Sequence, residues 1–365
     1  TAQSTISPSK WRPLKSDMAS SPLHRQPSRQ PEEGFATEPS SLPPPPQTRV
    51  EFPMRVLVAG ASGAIGLPLV RALMARGHVV SGIVRSSGSG DLLSDLGAMP
   101  LQVDSLDAGA VVEAVGRARP DIVVEQLTSL PKNNVPEARR ASAALHNRVR
   151  LEGGANVQKA AIEAGVARYI AQSSAFWCEP GEGVAADSTP LATDVEAPAV
   201  AAGARTLFEL ESRVLGSERI LGTVLRYGFF YGPRTWYAVD GSTADQVRAR
   251  GLPLIGNGLA MWSFVHIDDA VAATVAAVEH SPSAPARYNI TDDRSVAVRD
   301  WLPAYAKYLG APPPPPVSED EARRTMGEDA VFYATRMRGV SNDRARRDLA
   351  FRPRALEWME TGAAA

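Results

Sequence analysis

A single cysteine, Cys178, leaves nothing from which to build a disulfide framework, and with only five histidines no Cys/His cluster has the spacing of a zinc site. That scarcity suits a reducing, cytoplasmic setting and predicts no bound metal. Net charge is equally scarce. The 39 Lys and Arg residues against 40 Asp and Glu residues leave −1, so neither nucleic acid nor an anionic membrane meets the basic excess it would need. No apolar run approaches the roughly 18 residues of a membrane span, the stretch from Ala270 to Val278 being far too short. The start lacks the apolar centre of a signal peptide. What is present is 44% hydrophobic and 22% charged, ordinary for a globular chain with a real core.

Residues 1–53 differ from the rest. They are rich in Pro, Ser, Gln and Arg, end near the run Pro43-Pro44-Pro45-Pro46, and hold too few large apolar groups to offset the entropy of ordering. A disordered tail is expected there, and Met54 stands directly before a strand, as a start codon would. Beyond it, short β-branched runs alternate with amphipathic stretches. Strands are predicted at Arg55–Ala59, Val79–Val84, Leu101–Val103, Asp121–Glu125, Tyr169–Gln172 and Gly222–Tyr227. Helices are predicted through Arg76, over Ala108–Ala118, from Glu137 to Ala164, and over Arg205–Leu215. This alternation implies right-handed crossovers and an α/β, Rossmann-type doubly wound parallel sheet. The expected division is a nucleotide-binding domain over 54–230 and, over 231–365, mainly a smaller substrate lobe carrying the last sheet elements.

The first strand runs into Gly60-Ala61-Ser62-Gly63-Ala64-Ile65-Gly66. One glycine permits the tight turn, one lets backbone approach a pyrophosphate, and one lets the helix pack on its strand. Amides at the helix start then face the phosphates. No Gly-Lys-Ser/Thr follows, which excludes a nucleoside-triphosphate loop, and Ser62 lacks the glycine of a hydrolase elbow. The second strand ends in Val84-Arg85-Ser86, with no acid to hold ribose hydroxyls and an arginine suited to a 2′-phosphate. NADP is the preferred cofactor, with NAD as the alternative.

In this order, the motifs resemble those of the extended short-chain dehydrogenase/reductase superfamily, the NAD-dependent epimerase/dehydratase group, over about Met54 to Met359. They are Gly60–Gly66, Val103-Asp104-Ser105, Ala164–Tyr169 leading to Ser173-Ser174, Leu225–Pro233, Phe264–Ala270, and Ser341-Asn342-Asp343 with Phe351-Arg352-Pro353. The resemblance implies a homodimer and a cofactor site of Gly60, Ser62, Gly63, Ala64, Ile65, Gly66, Arg85, Ser86, Asp104, Ser105, Leu127, Thr128, Tyr227 and Gly228. It also implies Ser174 as the residue that orients the substrate oxygen. The family's Tyr-x-x-x-Lys pair is missing. Where it should open the next helix stands Ala201-Ala202-Gly203-Ala204-Arg205-Thr206-Leu207-Phe208, and no tyrosine occurs between Cys178 and Tyr227. Tyr227 is the substitute proton carrier, with Tyr231, Tyr237, Arg234 and His266 as further candidates. Two readings stay open. One is an oxidoreductase or epimerase-type enzyme acting on a small carbonyl, alcohol or sugar-like compound, with Phe176, Trp177, Phe229, Phe230, Trp236 and Trp262 walling its pocket. The other is a non-catalytic NAD(P)-binding regulatory module.

Overall fold

The computed structural model describes residues 53–360, so all but the last residue of the expected tail lies outside the described residues. Seven strands form the main sheet. They are β1 (Arg55–Ala59), β2 (Val79–Val84), β3 (Met99–Gln102), β4 (Ile122–Glu125), β5 (Arg168–Ser174) and β6 (Leu221–Tyr227), with Ala286–Ile290 at the far edge. Every pairing between them is parallel, and β1 lies between β2 and β4, as a doubly wound sheet requires. The intervening helices are α1 (Gly66–Ala75), α2 (Ser87–Asp95), α3 (Ala108–Ala118), α4 (Pro136–Arg148), α5 (Gly154–Glu163) and α6 (Pro198–Leu215).

The sheet is buried on both faces, so its strands read as nearly unbroken apolar runs. Val56, Val58, Val124 and Leu225 face a core formed with α1 and with Ile267–Glu279, a helix from the C-terminal half. Leu57, Ala59, Val123 and Val224 point the other way, against α3, α5 and α6. A third core is aromatic, built from Tyr231, Tyr237, Phe264, Trp301, Tyr305 and Phe332.

The C-terminal half supplies short elements: β7 (Phe229–Tyr231), α7 (Ser242–Arg248), β8 (Leu254–Ile255), β9 (Met261–Trp262), β10 (Phe264–His266), α8 (Ile267–Glu279), β11 (Ala286–Ile290), β12 (Val296–Ala297), α9 (Val298–Tyr308), β13 (Pro316–Val317), α10 (Glu319–Met326), α11 (Glu328–Thr335), α12 (Asp343–Asp348) and α13 (Glu357–Glu360). Of these, β11 pairs with β6 and α8 packs on α1, so residues beyond 231 complete the sheet and one of its helical layers. No helix among the described residues is long and apolar enough to cross a membrane.

Three elements depart from the sequence expectation. The helix expected over 137–164 is interrupted by a π-helical turn, Val149–Gly153, between α4 and α5. Helix α6 begins at Pro198, whose fixed φ suits a first helical position, seven residues before the expected start. Helix α2 forms over Ser87–Asp95 where no element is expected, with the Ser86 hydroxyl accepting from the Ser89 amide as its cap.

Candidate functional site

Where β1 meets α1, the backbone geometry explains the glycines. Gly60 has φ +88°, in the left-handed region, and a side chain there would stand 2.6 Å from the Gln126 carbonyl oxygen. A Cβ on Gly66 would land on the Gly60 carbonyl, so only glycine lets α1 start this close to β1. Helix α1 has no side-chain cap and no acid in its first turn. The amides of Ser62, Ala64 and Ile65 have no hydrogen-bond partner among the described residues, while that of Gly63 donates to the Gly60 carbonyl at 3.1 Å. An uncapped helix start with free amides and no nearby acid is built for an anion.

Around it, Arg85 is exposed at the end of β2 and the Ser86 side chain is engaged as the α2 cap. Asp104 is exposed, one carboxylate oxygen accepting from the Leu106 amide at 3.0 Å. Ser105 is buried against Gly153, and Leu127 is buried in the core with Thr128 half-buried beside it. Gly228 is explained by packing, because a Cβ there would stand 2.5 Å from the Ser263 carbonyl oxygen.

At the end of β5 the two serines part. The Ser173 hydroxyl donates to Glu211 at 2.7 Å, and Glu211 also holds Arg226 through two hydrogen bonds and Arg287 at 2.9 Å. Ser173 is therefore structural. The Ser174 hydroxyl has no partner among the described residues, although the residue is only 8% exposed. Tyr227 lies opposite Ser174 in register, but its ring turns into the α1/α8 core. Its hydroxyl accepts from Gln126 at 3.3 Å and bonds Thr274 at 2.6 Å, and burial pushes its pKa up to about 12. A phenol so enclosed does not face a substrate, which weighs against Tyr227 as the proton carrier and leaves only its backbone for a cofactor.

Of the remaining candidates, the tyrosines and the histidine are held by packing or capping, whereas Arg234 is exposed. The Tyr231 hydroxyl donates to the Ala355 carbonyl, Tyr237 is buried in the aromatic core, and Arg234 is exposed with φ +66°. His266 caps α8 by accepting from the Asp268 amide at 3.2 Å. Asp268 and Asp269 lie in the first turn of α8 and pair with Arg354. Cys178 is buried and donates to the Arg338 carbonyl.

The stretch Ala201–Phe208, where the pair is missing, packs against aromatic and aliphatic neighbours. Gly203 faces the Trp177 ring, and a Cβ on Gly203 would fall within that indole. One turn later, Leu207 packs in the same small cluster. The indole donates to the Tyr333 hydroxyl at 2.9 Å, so the phenolic hydrogen of Tyr333 is left to point elsewhere. Phe176, Phe229 and Trp262 stack with centroids 4.2 and 4.1 Å apart, Phe176 and Phe229 being half-buried. Phe230 belongs to the other side of the sheet, packed on Tyr227.

Sequence reading missed Tyr333, which has no motif around it, and a buried cation. Arg150, on the π turn, is 5% exposed. Its Nη1 donates to the Gln172 carbonyl on β5 at 3.2 Å, and its Nε points at His146 Nε2 at 3.1 Å. His146 Nδ1 in turn accepts from the Ser129 amide at 3.1 Å. Burial, and behind it the Arg150 charge, bring His146 down to about 3, so the ring is neutral. A further buried group is Asp292, just past β11. Neither of its carboxylate oxygens has a hydrogen-bond partner among the described residues, and burial raises it well above the usual carboxylate range.

Comparison with known proteins identifies the frame. Residues 56–291 match the model of the NAD dependent epimerase/dehydratase family. The chain belongs to that family. It is 44% identical over 310 residues to a 3-diazoavenalumate denitrifying reductase of a Streptomyces species, covering 84% of this chain and 98% of the relative. A 2-alkyl-3-oxoalkanoate reductase of Stenotrophomonas maltophilia is 29% identical over 269 residues, or 71% and 77% of the two chains. Among solved structures, the fold is similar to a dTDP-glucose 4,6-dehydratase from Streptomyces venezuelae with NAD bound. That match has a TM-score of 0.64 and 19% identity, covering 84% of this chain and 97% of the other. An NAD(P) dinucleotide is the family's cofactor, and the glycine cradle, free amides and uncapped α1 of this member fit one.

Proposed function

We propose that this chain is an NAD(P)H-dependent reductase that removes the diazo group of a flat aromatic substrate as dinitrogen. One observation carries the reading: within Ala201–Phe208, the stretch that lacks the tyrosine–lysine pair, Gly203 faces the Trp177 indole and Leu207 packs in the cluster beside it, so this part of α6 offers no acid. Reduction of a ketone creates an oxyanion that calls for such an acid. A reduced nicotinamide supplies hydride, and an aryl diazonium consumes it without one: Ar–N≡N⁺ and H⁻ give Ar–N=NH, which expels dinitrogen and leaves Ar–H. The 44% identical relative is named for a denitrifying reduction of a diazo compound, which supports this over the carbonyl or sugar-like substrate expected from sequence.

The chain's own residues have distinct tasks. The amides of Ser62, Ala64 and Ile65 hold the pyrophosphate, with Asp104 near the adenine. Arg85, exposed and without an acid beside it, favours NADPH over NADH. Ser174 offers its unpartnered hydroxyl to the substrate, and the stacked, half-buried rings of Phe176 and Phe229 give a planar ligand an apolar wall that excludes water.

The test uses an ortho-hydroxybenzenediazonium salt labelled with heavy nitrogen, with NADPH deuterated at the transferring position of C4. Labelled dinitrogen, one NADPH oxidised per substrate, a slower rate with the deuterated coenzyme and an arene hydrogen drawn from the solvent are expected, faster with NADPH than with NADH. Ser174→Ala should lower the rate about tenfold, the value of one positioned hydrogen bond, without changing nucleotide affinity. Nucleotide binding with no dinitrogen release and no turnover of ketones would return the chain to the regulatory-module reading.

A further inference from the structure

Arg150 is a buried guanidinium near the ends of β4 and β5 whose surroundings, among the described residues, do not account for its charge. It presents five N–H groups. Among the described residues, one carbonyl, that of Gln172, accepts from it without conflict. The apparent second acceptor is His146, yet a neutral imidazole has a single acceptor nitrogen. Both ring nitrogens face donors: the Ser129 amide at Nδ1 and the Arg150 Nε–H at Nε2. Only one of those contacts can be a hydrogen bond. If Nδ1 serves Ser129, Arg150 Nε faces an N–H.

Arg150 Nη2 has no partner among the described residues, and no carboxylate forms an ion pair with the group. Glu125 acts on it only through charge, and Glu125 is already bonded to Arg213 at 2.8 Å. A buried cation so poorly matched is costly unless an anion completes it. Its position favours a ligand as that anion. Gln172 stands two residues before Ser174 on β5, Ser129 directly follows Thr128, and both lie at the carboxyl ends of the strands, where open α/β sheets bind ligands. The π turn that carries Arg150 is an irregularity of the kind concentrated at functional sites.

We infer that Arg150 is a positioning residue that binds an anionic oxygen of the substrate, a carboxylate or a phenolate attached to its flat ring. This deepens, and rests on, the reading of the chain as a reductase of aromatic diazo compounds. In such a substrate a phenolate shares electrons with the diazo group. A cation on that oxygen holds the electron pair there and leaves the terminal nitrogen the stronger hydride acceptor.

Calorimetric titration of the full chain, saturated with NADP⁺, tests this with two probe pairs: cinnamate against cinnamamide, and 4-nitrophenolate against 4-nitroanisole. Wild type should bind at least one anion about tenfold more tightly than its neutral partner, and the pair that responds identifies the source of the oxygen. Arg150→Met should abolish that preference with NADP⁺ affinity unchanged, and Arg150→Lys should retain part of it. Equal binding of anion and neutral partner by wild type overturns the inference. So does a natively folded Arg150→Met that keeps the preference. Should Arg150→Met fail to fold, a preference unchanged in Arg150→Lys overturns it and a reduced one supports it. If no labelled dinitrogen is released yet the anion preference disappears with Arg150, the substrate class proposed above fails and this site stands. The reverse pattern removes the site alone.

Discussion

At the scale of single residues, neighbours separate groups that sequence alone treats alike. Ser173 and Ser174 are adjacent and identical in type, yet one is tied to Glu211 and the other is unpartnered. Strand geometry sends them to opposite faces of the sheet. Tyr227 is the opposite lesson. Its place at the end of β6 reads as a site position, but pleat direction turns the ring into the core, where Gln126 and Thr274 satisfy it. Tyr227→Phe should therefore leave turnover within about twofold and lower stability by about 1 kcal/mol, the net value of a buried hydrogen bond. Steady-state rates and urea unfolding check the pair, and a large loss of turnover at unchanged stability would restore the catalytic assignment. Arg150 was illegible for a different reason. It sits among several arginines on a stretch that reads as an ordinary solvated helix, and only the π turn and the approach to Gln172 reveal its burial.

Elements were legible where periodicity and punctuation agree. Strands β1 and β2 and helix α3 fall on their predicted residues, because β-branched runs and the Asp107 cap specify them locally. Helix α2 escaped because Ser87-Gly88-Ser89-Gly90 has poor helical propensity, and its formation depends on the cap and on Leu93 entering the core. The attachment of α6 to the sheet was equally hidden. It depends on Glu211, 2% exposed, which gathers Ser173, Arg226 and Arg287 from β5, β6 and β11. Removing one member of a buried ionic cluster strands the others. Glu211→Ala should cost about 3–5 kcal/mol, measured by denaturant unfolding, whereas Ser173→Ala should cost about 1 kcal/mol. Equal, small losses for both would mean that the cluster is not buried in solution.

For the whole molecule, acidity enters through Asp292. Its folded pKa is raised by burial, while the unfolded chain releases that proton near pH 4. The folded state therefore binds more protons than the unfolded one above about pH 4, and this contribution to stability declines as pH rises towards the folded value. Asp292→Asn should lose less stability than wild type between about pH 4 and 8, with a gap growing by at most about 1.4 kcal/mol per unit. Melting temperatures across that range check it, and parallel curves would mean that Asp292 is ionised in the native protein. Beyond chemistry, the pairing of β11 with β6 and of α8 with α1 ties residues 267–290 into the sheet built by the preceding half. A fragment stopping after β6 would leave that strand's hydrogen-bonding edge bare and one flank of the sheet without its α8 cover. The coenzyme half is thus not a cassette that evolution or an engineer could excise and graft elsewhere, and ribosomes must pass Ile290 before the sheet can close.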